Sequence, residues 1–354
     1  MTLLITLVAG ILTLSVIILV HEFGHFIFAK MTGVWVEEFG IGFPPRIWGK
    51  KIGDTIYSIN LIPFGGFNKL SGEVDPDAPR SLASKGYGVR FLVMGGGILM
   101  NLLLPFVLLS AAYMIPHDVY KGQVEVVEVS PDSPAALAGI EPGDTILAVD
   151  GTTLNNNSEL SRFIQINLGS NIDILLRHAD GTEQTVAAVP RWQPPEGQGS
   201  LGVMTQMNDT QVVSESLAPW DAIPVGMTSL WQTLILYKNG IIGMINGTVP
   251  FVPAGPVGIV QATGEVAASG ISPLLELAAF ISIAVAITQL IPFPALDGGR
   301  ILFVVIEWIR RGKRVSPKVE GLIHSIGFII LLGLMVLITY QDIARWITGG
   351  SLLG

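Results

Sequence analysis

The apolar run LLITLVAGILTLSVIILV at residues 3–20 continues directly into HEFGHFIFAK at residues 21–30. As a helix, the run is long enough to cross a bilayer, which takes about 20 apolar residues. Ionisable groups are costly at membrane depth, so two histidines and a glutamate at its end require a reason. His21 and His25 are four residues apart and share one helix face, whereas Glu22 is turned away by about 100°. The order H-E-x-x-H predicts a zinc site in which Glu22 is the general base.

The composition is typical of a membrane protein, and it excludes cysteine thiolates as metal ligands. Half of the 354 residues are hydrophobic, the mean hydropathy is +0.58, and 14% are charged, against about 25% in soluble proteins. The chain has no cysteine, so any metal ligands must be His, Asp or Glu. The net charge of −8 and the absence of a basic cluster in the sequence argue against a nucleic-acid partner.

Four stretches are expected to span the bilayer, and the first lacks the features of a cleaved signal peptide. The four predicted spans are residues 3–28, 91–115, 273–291 and 320–340. Lys and Arg number eight in residues 30–90, six in 300–318 and only five in the long segment 116–272. The positive-inside rule therefore predicts that the first two of these loops are cytoplasmic, and that the long segment and both termini are outside.

A hydrolytic zinc site needs a third protein ligand and an open position. The best candidate is Asp297 in QLIPFPALDGGR (289–300), where two prolines interrupt the third span. Interrupted helices occur at membrane depth only where they are buried in protein or line a cavity. Asp297 could instead cap a helix that begins near Arg300. His324, on the fourth span, is the next candidate, and Glu37 and Glu38 are weaker ones.

Two other segments allow more than one interpretation. Residues 222–245 are apolar, but a fifth span there would place Asp297 and the histidines on opposite sides of the membrane. We therefore expect a helix that lies on the outer surface with its apolar face against lipid. Residues 41–67 have the composition of short strands with Gly and Pro turns. This segment could form an edge strand that pairs with an extended substrate, or it could be an amphipathic loop that rests on the membrane.

Most of the outer segment predicts a folded domain of mixed β structure with little helix. The sequence SPAALAGIEPGDTILAVDG at 133–151 resembles a PDZ domain. GSLGV at 199–203 resembles the carboxylate-binding loop of a circularly permuted bacterial PDZ domain. In that interpretation Gly199, Leu201 and Gly202 would contact the C-terminal carboxylate of a bound peptide. A Gly-rich strand connection would look the same.

HEFGH, LDGG and a PDZ domain between them resemble the site-2 protease family of intramembrane zinc metalloproteases, of the bacterial regulator-of-sigma-E type. Further motifs carry the same resemblance along nearly the whole chain. They are GGFNKLSGE (65–73), similar to a membrane-associated β-hairpin, GGILMN (96–101), and AGPVGI (254–259). The chain departs from the family pattern at Gln289, where Asn is common, and at Ile98, where Pro is common.

The resemblance implies one Zn²⁺ per chain held by His21, His25 and Asp297, with Glu22 as catalytic base. It also implies that Gln289, Gly65, Gly66 and Phe67 contact substrate. The implied activity is hydrolysis of peptide bonds within or near transmembrane segments, for example of an anti-sigma factor or of signal-peptide remnants. The implied location is the bacterial inner membrane, with the active site towards the cytoplasm. The PDZ domain would lie outside, where it either binds a substrate C-terminus or excludes intact ectodomains.

We therefore predict an α-helical polytopic membrane protein with about four transmembrane helices, a membrane-associated β-hairpin and an inserted mixed β/α PDZ domain. The predicted divisions are residues 1–115, 116–208, 209–272 (a linker with an interfacial helix) and 273–354. The alternative functions are a catalytically silent PDZ adaptor and a metal transporter or channel. The presence of all four metal and base residues argues against the adaptor, and the scarcity of ionisable groups at mid-span argues against the transporter.

Overall fold

A computed structural model describes residues 3–250, 252–348 and 350–351. The chain forms two compact units, the first from Met1–Ala112 with Pro253–Gly354 and the second from Tyr113–Val252. The second unit is therefore an insertion in the sequence of the first. In chain order the elements are α1 (Leu3–Met31), β1 (Val36–Ile52), β2 (Thr55–Leu70), α2 (Tyr87–Met94), α3 (Gly96–Met114), β3 (His117–Val129), α4 (Pro134–Leu137), β4 (Thr145–Val149), β5 (Thr152–Thr153), α5 (Asn157–Ile166), β6 (Ile172–Arg177), β7 (Glu183–Ala188), β8 (Val203–Glu215), α6 (Pro219–Ile245), α7 (Pro256–Ala267), α8 (Ile271–Leu290), α9 (Asp297–Ile309) and α10 (Pro317–Ile347).

Within the described residues, four helices, α1, α3, α8 and α10, are long and apolar enough to cross a membrane. They correspond to the four predicted spans. The start predicted for the second span, residue 91, is wrong because the helix is interrupted at Gly95, which ends α2 before α3 begins. In α10 only 6% of the most apolar stretch is buried, so its apolar surface requires another partner, and lipid is the natural one.

The hairpin β1–β2 curls so that the first part of β1 has a neighbour on each side. Phe39 pairs with Asn68 and also with Tyr57, and the two strands are antiparallel. The end of β2, residues 66–70, pairs with β1 on one edge, and the described chain places no further strand on its other edge. The predicted hairpin is present, and it ends in a strand with an open edge.

Small residues bring α7 and the turn before α9 close to their neighbours. A Cβ on Gly10 of α1 would overlap Val260 of α7. Between α8 and α9, a Cβ on Gly298 or Gly299 would overlap the carbonyls of the turn at 290–293. The glycines of LDGG therefore let α9 start immediately after a tight turn, with Asp297 as its first residue.

The second unit contains a six-stranded antiparallel sheet. Its strands are arranged in the order β7-β6-β4-β3-β8, with β5 paired to β4. The core includes Ile146, Ile172, Ile174 and Leu176, all at most 1% exposed. The end predicted for this domain, residue 208, falls inside β8, because β8 stays paired with β3 as far as the pair His117–Glu215.

Helix α6 belongs to the second unit, and the small and polar residues of this helix are on its buried face. Ser229 and Thr233 are buried, whereas Trp220 and Trp231 are 74% and 66% exposed. The Asn239 amide donates to the carbonyls of Gln165 and Ile166 at the end of α5, at 2.7 and 3.3 Å. The predicted helix at 222–245 is present, and its exposed face is apolar.

Candidate metal centre

Three side chains of the first unit converge although their positions span 276 residues of sequence. His21 Nε2 lies 3.0 Å from Asp297 Oδ2, and His25 Nε2 lies 3.1 Å from the same oxygen. The two Nε2 atoms are 3.2 Å apart. In the described chain, these three residues are the only group of histidine and acidic side chains close enough to share one metal ion.

The spacing of the donor atoms fits zinc. Bonds of about 2.0–2.1 Å at tetrahedral angles place neighbouring ligand atoms about 3.3 Å apart, close to the 3.0–3.2 Å seen here. Asp297 Oδ2 is buried, and its close polar neighbours are the two imidazole Nε2 atoms, as expected around a shared metal ion. One carboxylate and two imidazoles are ligands of the kind that hydrolytic zinc uses.

Space for the ligands is made by Gly97 in the Gly-rich start of α3. A Cβ at this position would lie 2.6 Å from His25 Nε2 and 2.7 Å from His21 Nε2. The run GGG at 95–97 would ordinarily indicate only close helix packing, and Gly96 does pack against Gly24. Gly97 has the additional effect of leaving room beside the metal-binding nitrogens.

His25 is oriented by a backbone carbonyl at the interruption between α2 and α3. Its Nδ1 lies 2.8 Å from the carbonyl oxygen of Val93. The last carbonyls of a helix have no partner within it, so Val93 can accept the Nδ1–H. This hydrogen bond leaves the lone pair of Nε2 pointing towards Asp297 and available to a metal.

His21 has a neighbouring amide on α3. Asn101 Nδ2 lies 3.4 Å from His21 Nδ1, and Asn101 is fully buried. Its Oδ1 has no hydrogen-bond partner among the described residues. The sequence singled out Asn101 only as part of the GGILMN motif and did not predict this contact, because it joins residues 80 positions apart.

A cavity of about 210 Å³ adjoins the three ligands. Glu22, the predicted base, lines it together with Gln289 and Asn68. The wall also contains an ion pair, Arg300 Nη1 to Glu73 Oε2 at 2.7 Å. The Gln289 side-chain oxygen accepts from the Asp297 backbone N–H at 3.4 Å, so Gln289 also touches the residue that supplies the carboxylate.

The other predicted substrate residues lie beside the cavity and do not line it. A Cβ on Gly65 would meet Ile18 of α1, and one on Gly66 would meet the Gly40 carbonyl, so these glycines let the sheet approach its neighbours. Phe67 is offset by one residue from Asn68, and successive strand residues face opposite sides. A role for the three in substrate binding stays a prediction.

The alternative metal ligands are engaged elsewhere in the first unit. His324 Nδ1 accepts the backbone N–H of Ala295 at 2.9 Å and thereby holds the turn before Asp297. Glu38 accepts from Ser58 at 2.6 Å, and Glu37 pairs with Lys69 at 2.6 Å. None of the three joins His21 and His25.

The residues predicted to form a PDZ peptide loop lie just before β8. The Leu201 side chain is 1% exposed and belongs to the sheet core. Gly202 has a positive φ of 82°, and a Cβ there would overlap Ser133. Gly199 has open space beside it. Their role in binding peptide stays a prediction.

The sequence of this chain is similar to those of known zinc metalloproteases. The model for peptidase family M50 matches residues 9–334. A Clostridium perfringens protein that its name assigns to the zinc metalloproteases is 34% identical over 338 residues, which cover 95% of this chain and 98% of that one. The zinc metalloprotease RasP of Oceanobacillus iheyensis is 27% identical over 433 residues, covering 96% and 99%. Among solved structures, the PDZ domain of an SdrC-like protein from Listeria monocytogenes covers 25% of this chain and 90% of its own, with 24% identity and a TM-score of 0.22.

The chain belongs to peptidase family M50, the site-2 protease family. It is a zinc metalloprotease, and zinc is its metal. With its four apolar helices, it belongs among the bacterial membrane proteins.

Proposed function

We propose that this protein hydrolyses peptide bonds within or near transmembrane segments of other membrane proteins, at the site formed by His21, His25, Asp297 and Glu22. The observation that carries the proposal is the meeting of three metal-binding atoms, 3.0–3.2 Å apart, at the end of an apolar 29-residue helix. A site at this position in a membrane-spanning helix can be reached by a neighbouring transmembrane segment.

His21, His25 and Asp297 would hold the zinc. Bound there, zinc acts as a Lewis acid that lowers the pKa of water to about 7 and polarises a carbonyl group. The hydrogen bond from His25 to the Val93 carbonyl fixes the imidazole so that its free nitrogen faces the ion. The Gln289 side-chain oxygen accepts the backbone N–H of Asp297 at 3.4 Å and so helps to hold the residue that supplies the carboxylate.

Glu22 is the base in this proposal. It neighbours His21 in sequence but is turned by about 100° around the helix, and it lines the cavity. From there its carboxylate can accept the proton of the attacking water and return it to the leaving nitrogen. The neighbouring pair Arg300–Glu73 adds no net charge to the cavity wall.

The open edge of β2 is where we place the unwound substrate. A peptide bond in a helix has its carbonyl hydrogen-bonded, so the segment must be extended before water can attack. Residues 66–70 pair with β1 along one edge only, and Asn68 and Leu70 of this strand line the cavity. An extended substrate added to that edge would run past Glu22.

The sheet of the second unit lies outside the cell in this proposal, and the metal centre lies towards the cytoplasm. The Lys and Arg distribution of the loops supports this orientation. The exposed apolar face of α6 with Trp220 and Trp231 fits a helix that lies on a membrane surface. We also infer a PDZ role for the sheet, either peptide capture at the free edge of β8 or exclusion of large ectodomains.

The test compares the purified protein in detergent with Glu22→Gln. Both are incubated with a tagged single transmembrane segment, and the products are mapped by mass spectrometry. We expect the parent to cut within or next to the apolar stretch and Glu22→Gln to be inactive while binding the same amount of zinc. Zinc-loaded parent protein that cuts none of a panel of transmembrane segments would refute the proposal.

A further inference from the structure

We propose that Asn68 is a substrate-binding residue, whose side-chain amide hydrogen-bonds a backbone peptide group of the unwound substrate beside the scissile bond. The inference rests on the proposed function and deepens it by assigning the group that recognises an extended chain. Asn68 lies within the GGFNKLSGE motif (65–73), but the sequence assigns it no role of its own.

The first observation is an amide without partners. Both Nδ2 and Oδ1 of Asn68 are buried, and neither has a hydrogen-bond partner among the described residues. Leaving a buried polar group unpaired is costly, so such groups in native proteins usually have a partner or a function. Asn60 on the same strand also has an unpaired Oδ1, but its Nδ2 donates to the carbonyls of Ile41 and Gly42 at 3.2 Å, whereas Asn68 has no partner at either end.

The second observation is where this amide lies. Asn68 lines the same cavity as His21, His25 and Glu22, so a chain bound in that cavity can contact both Asn68 and the metal centre. Its backbone pairs with Phe39 of β1, which fixes its position in the sheet. Side chains two residues apart share a strand face. Asn68 and Leu70 therefore both face the cavity, where Asn68 offers a polar surface to a bound chain and Leu70 an apolar one.

The chemistry of the amide selects its ligand. A carboxamide offers two N–H donors and one oxygen acceptor, which is the complement of a peptide group with its own N–H and C=O. In a helical segment these groups are bonded to one another, whereas in an extended segment they are free. Asn68 would therefore favour the unwound form of the substrate and hold it where Glu22 and the metal centre can act.

The test uses Asn68→Leu, which has nearly the same shape without the polar atoms. A control variant, Lys318→Gln, changes an exposed residue at the start of α10 that does not line the cavity. We expect Asn68→Leu to raise KM for a transmembrane substrate by about tenfold with a smaller change in kcat. Its zinc content should equal that of the parent, and its melting temperature should be unchanged or higher, because an unpaired polar group has been removed.

A second measurement identifies the bonded group and does not depend on cleavage. Zinc-loaded Glu22→Gln, with and without Asn68→Leu, is titrated with apolar peptides in which one backbone amide at a time is replaced by an ester. We expect one ester position to weaken binding when Asn68 is present and to have no further effect in the double variant. Equal effects in both backgrounds at every position, or an Asn68→Leu enzyme with unaltered KM, would overturn the proposal. Measurable binding by Glu22→Gln together with no cleavage by the parent would count against the proposed function alone.

Discussion

The two histidines of the metal centre depend on neighbours that do not touch the metal. For His25 the Val93 carbonyl sets which nitrogen carries the proton. For His21 the neighbour is Asn101, whose Nδ2 lies 3.4 Å from Nδ1 and whose Oδ1 is buried without a partner. The two ends of an amide are nearly the same size. Turning it by 180° would let Oδ1 accept the Nδ1–H and leave Nε2 free for zinc.

Asn101→Leu therefore should weaken zinc binding about 10- to 100-fold, the usual effect of removing a group that orients a metal-binding histidine. Competition with a zinc chelator measures it. Asn101→Asp provides the matched control, because its carboxylate can only accept a hydrogen bond and should retain the metal. If Asn101→Leu keeps zinc as tightly as the parent does, the His21 tautomer is set in some other way.

At the scale of elements, α7 is held by a carboxylate at its amino end. Asp342 of α10 accepts the backbone N–H of Gly255 at 3.0 Å and of Gly258 at 2.8 Å, and it is 1% exposed. The first N–H groups of a helix have no partner within it, so Asp342 stabilises the start of α7. Because α7 packs against α1 through Gly10, this contact also supports the helix that carries HEFGH.

Replacing this carboxylate should destabilise the fold without altering the site. Asp342→Ala leaves two buried N–H groups unpaired, and we expect a loss of about 1–3 kcal/mol in the free energy of unfolding. Thermal unfolding in detergent measures it, with Gln341→Ala as the control at an exposed neighbouring position. Equal melting temperatures for Asp342→Ala and the parent would show that the contact does not stabilise α7.

At the scale of the whole molecule, one buried ion cluster ties sequence-distant parts of the first unit together. Glu307 of α9 accepts from Arg90 of α2 at 2.5 Å and from Arg314 at 2.9 Å. Arg314 also donates to the Ala83 carbonyl at 2.6 Å. Burial raises the pKa of Glu307, but the hydrogen bonds from the two arginines outweigh burial and the net shift of this pKa is downward.

This shift predicts a dependence of stability on pH. Because the pKa of Glu307 is lower in the folded protein than in the unfolded chain, the stabilisation is present above the unfolded value of about 4.5. It is lost as pH falls through the folded value. We expect the melting temperature to drop below about pH 4.5, and Glu307→Gln to be less stable at neutral pH and to show a smaller drop. A Glu307→Gln protein with the same acid response as the parent would contradict this account.

The sequence could single out His21, His25 and Asp297 as candidate metal ligands because their signals are local. Four-residue spacing places His21 and His25 on one helix face, and two prolines with two glycines mark the turn before Asp297. The roles of Asn68, Asn101 and Gly97 could not be predicted, because each depends on which distant residue lies opposite it. The same holds for Arg90 and Glu307, which are 217 positions apart. The choice of Asp297 over His324 followed from the broken span, and the structure adds that His324 supports that same turn.

The most direct test of the central assignment is the zinc content of three purified proteins, measured by atomic emission after removal of loosely bound metal. They are the parent, Asp297→Ala and His324→Ala. We predict about one zinc per chain in the parent and in His324→Ala, and little or none in Asp297→Ala, because zinc at such sites needs three protein ligands. Full retention of zinc by Asp297→Ala would contradict the metal centre described here.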